Sequence, residues 1–404
     1  MRDVSLLALS AMLFLPATVV AMQPEKAQSS KPDTVWNAAL RFRLETVDQD
    51  GFNQDALAAT TRLRLGIRHR LATSLIGFVE GEATWAMNDQ FDSGANGRSR
   101  YPSVIDPTAV EFNQMALIWQ TERTEATLGR QRIQFDNQRF IGNSGWRQNE
   151  QTFDAALLAF NPTPRWAFHY GYSDCVHRVA TDRARSPRAR ESNLDAHLLH
   201  VTAITAMGPV SAYFYASDDQ DVAAASTVTE GLRFCPSHAL ADWHWIGVLE
   251  YARQRGYASN PRSFSHDYLS IEAGVKREQL EAKLGLEVLE GNGRTALQTP
   301  LATLHAFNGW ADQFLITPVN GLEDRYASIT GELPWRGLAP LKWTLVAHDF
   351  YPNRPGARYG QEWDASLATS LGKGWTALLK VADYQADAFG RDTRKLWLQV
   401  EWAR

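Results

Sequence analysis

Apolar and polar residues alternate at period two along most of this chain. In Trp36 to Glu45 one face carries Trp36, Leu40, Phe42 and Leu44, and the other carries Asn37, Arg41, Arg43 and Glu45. The next segment sets Leu63, Leu65, Ile67 and Leu71 against Arg62, Arg64, Arg68 and Arg70. Near the far end Leu396, Leu398, Val400 and Trp402 oppose Trp397, Gln399 and Glu401. A helix would need apolar residues three and four apart, so the pattern reads as strands. It predicts them near 35–46, 60–71, 74–87, 110–121, 124–133, 150–161, 164–174, 195–206 and 209–218. The second half adds 225–235, 241–254, 266–276, 279–289, 325–334, 341–350, 359–371, 374–385 and 393–403, about eighteen in all. The 225–235 segment alternates least clearly.

The connections also alternate. Leu71-Ala72-Thr73-Ser74, Thr121-Glu122-Arg123-Thr124 and Met207-Gly208-Pro209 are tight turns, whereas polar gaps near 88–109, 134–149, 175–194 and 291–324 are long. Short turns at one end and long loops at the other are the plan of an outer-membrane barrel. The expected fold is therefore all-β, a transmembrane antiparallel up-and-down β-barrel of about eighteen strands. Both termini would lie on the periplasmic side. A barrel of that size encloses an aqueous lumen unless loops fold inward.

Composition agrees once the two faces are separated. Mean hydropathy is −0.34, a value typical of soluble proteins, but lipid-facing and water-facing residues share every strand of a barrel and cancel. The chain holds 14 Trp among 404 residues. Trp85, Trp119, Trp166, Tyr172, Trp243, Trp363, Trp375 and Trp402 fall near proposed strand ends, where an amphipathic ring suits the membrane–water boundary. Arg2 followed by the apolar stretch Leu6 to Val20 and the small residues around Ala21 reads as a signal peptide over 1–21. A periplasmic linker over 22–33 and one barrel over 34–404 complete the expected organisation. Localisation follows: the outer membrane of a Gram-negative bacterium, with the lipid and the barrel-assembly machinery as partners.

Charge supplies the candidate chemistry. Arg41, Arg43, Arg62, Arg64, Arg68 and Arg70 come from neighbouring strands and face one side, and Arg130, Arg132, Arg139 and Arg147 form a second dense group. Guanidinium groups stay charged and fork onto carboxylates, and rings of them make a pore favour anions. The same arginines could equally pair with Glu45, Glu80 and Glu82 to rigidify the wall, and both roles stay open. Around Gly129 the outward face of Ala126 and Leu128 runs on to Arg130, so either a bulge re-aims the strand or it has left the hydrocarbon there. Net charge is only −4, which gives no field for nucleic acid.

Within this frame one stretch is more specific. Leu128-Gly129-Arg130-Gln131, Asp136-Asn137-Gln138-Arg139-Phe140, Gly142, Gly145-Trp146-Arg147-Gln148 and Thr152-Phe153-Asp154 together resemble the alginate-export family. The resemblance implies an outer-membrane channel with an electropositive pore, passing an anionic uronate polysaccharide or related anionic solutes. It makes Arg130 the leading pore-lining cation, with Arg139 and Arg147 in the matched loop region. Two features depart from that pattern: the chain finishes Trp402-Ala403-Arg404 rather than on an aromatic residue, and relatives of this kind are not confined to alginate producers.

Other chemistries find no motif. There is no zinc-protease, phosphate-loop or nucleophile-elbow pattern, so neither a catalytic site nor a cofactor is expected. His197 and His200 are three apart and would face opposite sides of a strand, and Asp218-Asp219-Gln220-Asp221 reads as a solvated loop tip rather than a calcium site. Cys175 and Cys235 fall at opposite ends of the wall, out of bonding range. The alternatives to a channel are a surface-binding or structural barrel with a plugged pore, and a barrel hydrolase.

Overall fold

A computed structural model describes residues 33–335 and 339–404; the expected leader and nearly all of the linker lie outside these. Strands run β1 Thr34–Gln49, β2 Ala56–Ala72, β3 Leu75–Ala86, β4 Ala109–Gln120, β5 Thr124–Gln131, β6 Thr152–Thr163, β7 Trp166–His177, β8 Glu191–Thr205 and β9 Gly208–Asp219. They continue β10 Thr227–Phe234, β11 Ser237–Leu240, β12 Trp243–Gly256, β13 Ser265–Arg277, β14 Leu280–Leu289, β15 Leu322–Leu333, β16 Leu341–Tyr351, β17 Gly360–Gly372, β18 Trp375–Ala386 and β19 Thr393–Ala403. Every strand pairing is antiparallel, and β1 pairs with both β2 and β19, which closes the cylinder. β10 and β11 both pair with β12 and are two halves of one stave. The break falls at Cys235-Pro236, where proline has no N–H for the ladder. Nineteen segments therefore make an eighteen-strand barrel. All eighteen expected strands are present, the weakly patterned 225–235 included.

Alternation in sequence becomes inside and outside of the wall. On β1, Phe42 and Leu44 are exposed outward while Arg41, Arg43 and Glu45 are buried within. Across the closing seam Leu44 lies opposite Leu398 and Arg43 opposite Gln399, so like faces meet. Trp119, Trp166 and Trp243 stand exposed at the short-turn ends, and Trp85, Tyr172 and Trp363 nearer the long-loop ends. These are the two girdles expected of a membrane barrel.

The lumen is not an open tube. The 132–151 and 290–321 connections fold inward and pack on each other: Gly142 N–H donates to Leu301 O at 2.8 Å, and Thr303 N–H to Gln138 O at 3.0 Å. Ile133, Phe140, Trp146, Leu297, Trp310 and Phe314 from these loops join Phe153, Val176, Tyr268, Phe350, Tyr384 and Trp397 of the wall in one buried apolar body. Aromatics expected only at the membrane boundary are thus supplemented by a second set inside. Burying this surface holds both loops down without a covalent link.

Candidate functional site: the charged arc of the lumen

The apolar body occupies the lumen side of β6 to β19, and β1 to β4 carry the charges that face it. Arg41 donates through Nε and Nη2 to Glu401 at 3.0 and 3.3 Å, and through Nη1 to the carbonyls of Gly145, Trp146 and Arg147 at 3.3 to 3.4 Å. Arg43 donates to Trp146 O at 2.6 Å, and its guanidinium lies 4.1 Å from the centroid of the Trp146 ring. Arg62 donates to Glu401 at 2.8 Å. Arg41 and Arg43 thereby hold a loop backbone whose carbonyls would otherwise be buried without donors.

In the neighbouring pairs the arginines are somewhat more exposed while their carboxylate partners are buried. Arg64 bonds Glu82 and lies 3.4 Å from Glu150. Arg132 reaches both Glu80 and Glu150. Asn113 Nδ2 donates to the same two carboxylates at 2.8 and 2.6 Å. Arg147 joins Glu45 at 3.3 Å to Asp312 at 3.1 Å, tying one inward loop to the other and to the wall. The side chains of Arg64, Arg147 and Arg132 keep 11, 12 and 27 % of their surface in solvent. Arg68 and Arg70 lie nearer the short-turn mouth, half-buried, and Arg70 donates to Thr73 O.

Burial alone would raise the Glu150 carboxyl, but Arg64 and Arg132, with the Asn113 amide, hold it down to about 2. On the second loop burial keeps the His305 imidazole well below its ordinary value in spite of Asp312. Neutral His305 donates from Nδ1 to Asp312 at 2.7 Å and accepts at Nε2 from Lys380 Nζ at 2.7 Å. That relay, between Trp146, Trp310 and Trp397, fixes the tip of the 290–321 loop.

Two expected positions need correction. Arg130, the leading lumen cation, points away from the lumen. Its neighbour Gln131 lies opposite Phe153, both buried inside, so Arg130 and Asp154 project outward, where Nε and Nη2 donate to Asp154 at 2.8 and 3.1 Å. Gly129 has φ +120°, and a Cβ placed there would lie 2.3 Å from Met115 O, yet Leu128 and Arg130 stay on one face. Arg130 is accommodated at the end of its strand by a counter-ion, not by a flip. Arg139 is likewise no lining residue: 3 % exposed, it bonds Glu287, Thr299 and Asn308 and braces loop against wall. Sequence also missed Glu150, Glu401 and Asp312, whose importance depends on which arginines stand opposite. His197 faces out and His200 in, and both cysteines are free.

A family model described as alginate export matches residues 37–297, well over half of the chain. The chain belongs to the alginate-export family. This family member also resembles solved porin structures. It superposes on the outer membrane protein OpdK of Pseudomonas aeruginosa with a TM-score of 0.69 at 12% identity, covering 92% of this chain and 98% of that one. For OccAB3 of Acinetobacter baumannii the values are 0.72, 12%, 92% and 99%. For OccK2 (OpdF) of Pseudomonas aeruginosa in complex with glucuronate they are 0.65, 13%, 91% and 98%. At such identity the likeness is one of fold. No curated protein sequence matches the chain. The alginate-export member is an outer-membrane porin-type barrel of Gram-negative type.

Proposed function

We propose that this barrel is a passive channel for small anionic solutes, uronate-like carboxylates among them, that move along the charged arc of β1 to β4. The reading rests on one observation: the two inward loops fill the lumen against the rest of the wall, and where the 132–151 loop meets β1 to β4 they leave a charged cluster in which Arg132 keeps 27 % of its side chain in solvent and Arg64 and Arg147 keep 11 and 12 %. Cations interleaved with Glu80, Glu82 and Glu150 offer successive weak sites, which suits throughput better than one tight site. OpdK has been solved with vanillate and OccK2 with glucuronate, both small carboxylates, which supports the substrate class. The same packed loops disfavour a bulky polymer, so a single sugar acid is preferred over an alginate chain.

Liposome swelling tests the size and charge claims together. Proteoliposomes should swell faster in glucuronate than in glucose, and scarcely in a uronate oligomer. Equal rates for glucose and glucuronate would remove the anion claim. Rapid swelling in the oligomer would restore polymer passage. A tight barrel with no swelling in any solute would favour the plugged, surface-binding reading, which the extent of the buried aromatic body also supports.

A further inference from the structure

On the outside of the wall, at the long-loop ends of β5 to β8, lies a cluster that transport does not use. Phe153 and Val176 face each other in register, both fully buried in the luminal body, so their neighbours Asp154, Cys175 and His177 project outward. Register shifts at Asp154/Ala155 and at Ser173/Cys175 re-aim these residues. We propose that Asp154, Cys175 and His177 form a transition-metal site suited to zinc.

The ligand atoms of the three residues lie within 4.8 Å of one another. His177 Nε2 is 2.9 Å from Asp154 Oδ2 and 3.7 Å from Cys175 Sγ. In tetrahedral zinc, with bonds of about 2.0 Å to nitrogen and oxygen and about 2.3 Å to sulfur, the N–O and N–S edges are about 3.3 and about 3.5 Å. Adjustments of a few tenths of an ångström bring these two edges to that geometry, and the third edge, from Cys175 Sγ to Asp154, lies within 4.8 Å. The supporting shell is already built. His177 Nδ1 lies 3.4 Å from Glu191 Oε2, the carboxylate–histidine arrangement that fixes a ligating ring. Arg130 holds Asp154 mainly through Oδ1, at 2.8 Å, and its longer 3.1 Å contact to Oδ2 is the one a metal displaces. A mixed S, N, O donor set with an open fourth position favours zinc over magnesium or calcium. On binding, the metal replaces the thiol proton of Cys175, which is released to solvent; His177 ligates through Nε2 as the imidazole tautomer whose Nδ1–H faces Glu191, and no electron is transferred. Asp154 and His177 keep 35 and 21 % exposure, which leaves a path for the ion.

Cobalt(II) titration of the folded full chain in detergent micelles tests this. The expected result is one equivalent bound, with a thiolate-to-cobalt charge-transfer band and tetrahedral d–d bands, both erased by zinc. Cys175→Ser should lose the charge-transfer band, and Cys235→Ser should keep it. Glu191→Gln should weaken binding roughly ten- to a hundredfold. Heat-modified mobility on gels confirms that each variant remains a folded barrel. Absence of the charge-transfer band in the unmodified chain, or cobalt binding by Cys175→Ser equal to it, would overturn the proposal.

Discussion

Replacing Arg64 and Arg132 together by alanine should shift the ion preference of the channel toward cations. The two guanidinium groups share Glu150 and neutralise Glu82 and Glu80 on either side of it. Removing them takes this cluster from two cations against three carboxylates to three carboxylates alone. For an ion passing about 7 Å away in a water-like medium, each lost charge is worth about 0.6 kcal/mol. The pair is worth about 1.2 kcal/mol, or roughly an eightfold fall in local anion occupancy, with a matching gain for cations. Reversal potentials across planar bilayers in a potassium chloride gradient, recorded near pH 8 to keep the carboxylates ionised, measure that ratio. A double lysine variant keeps the charge and should stay near wild type, which separates electrostatics from side-chain shape. Unchanged reversal potential in a folded double-alanine barrel would refute the reasoning, because ions would then not be passing this arc.

Other outcomes follow from the same geometry. Trp146→Ala removes the ring that stacks on His305 and lies under Arg43 and Lys380. A core truncation of this kind costs about 3–5 kcal/mol, so single-channel records should show larger and noisier openings as the loops loosen. Glu150 has its folded-state value held down to about 2, below the unfolded value of about 4.3. Its contribution is therefore complete above that unfolded value and fades as pH falls through about 2, and open-channel noise should rise across that window. Leu398→Arg places a guanidinium on the lipid face opposite Leu44. At mid-bilayer depth an arginine on the lipid face costs roughly 2–4 kcal/mol, so the denaturant midpoint for refolding into vesicles should fall.

The wall was legible because its physics is local. A strand between lipid and water must alternate, and a tight turn must carry turn residues, so even the stave broken at Pro236 could be read. The site was legible only by face. Arg41, Arg43, Arg62 and Arg64 had to point inward, but their partners Glu401, Glu150 and Trp146 O come from distant parts of the sequence. Pairing of that sort is set by closure of the seam and by where loops descend, neither of which leaves a periodic trace. Arg130 illustrates the limit. Motif resemblance assigned it a role, but the parity of Gln131 and Phe153 across β5 and β6 fixes its side of the wall. The inward course of 290–321 could have been suspected from its buried aromatics, since Trp310 and Phe314 have no place in a solvated loop.

Reversal potential of the unmodified barrel in a planar bilayer under a potassium chloride gradient is the most direct measurement. A conducting pore whose potential sits on the chloride side of zero is the predicted result. A potential on the potassium side, or a correctly folded barrel that does not conduct, would contradict the account.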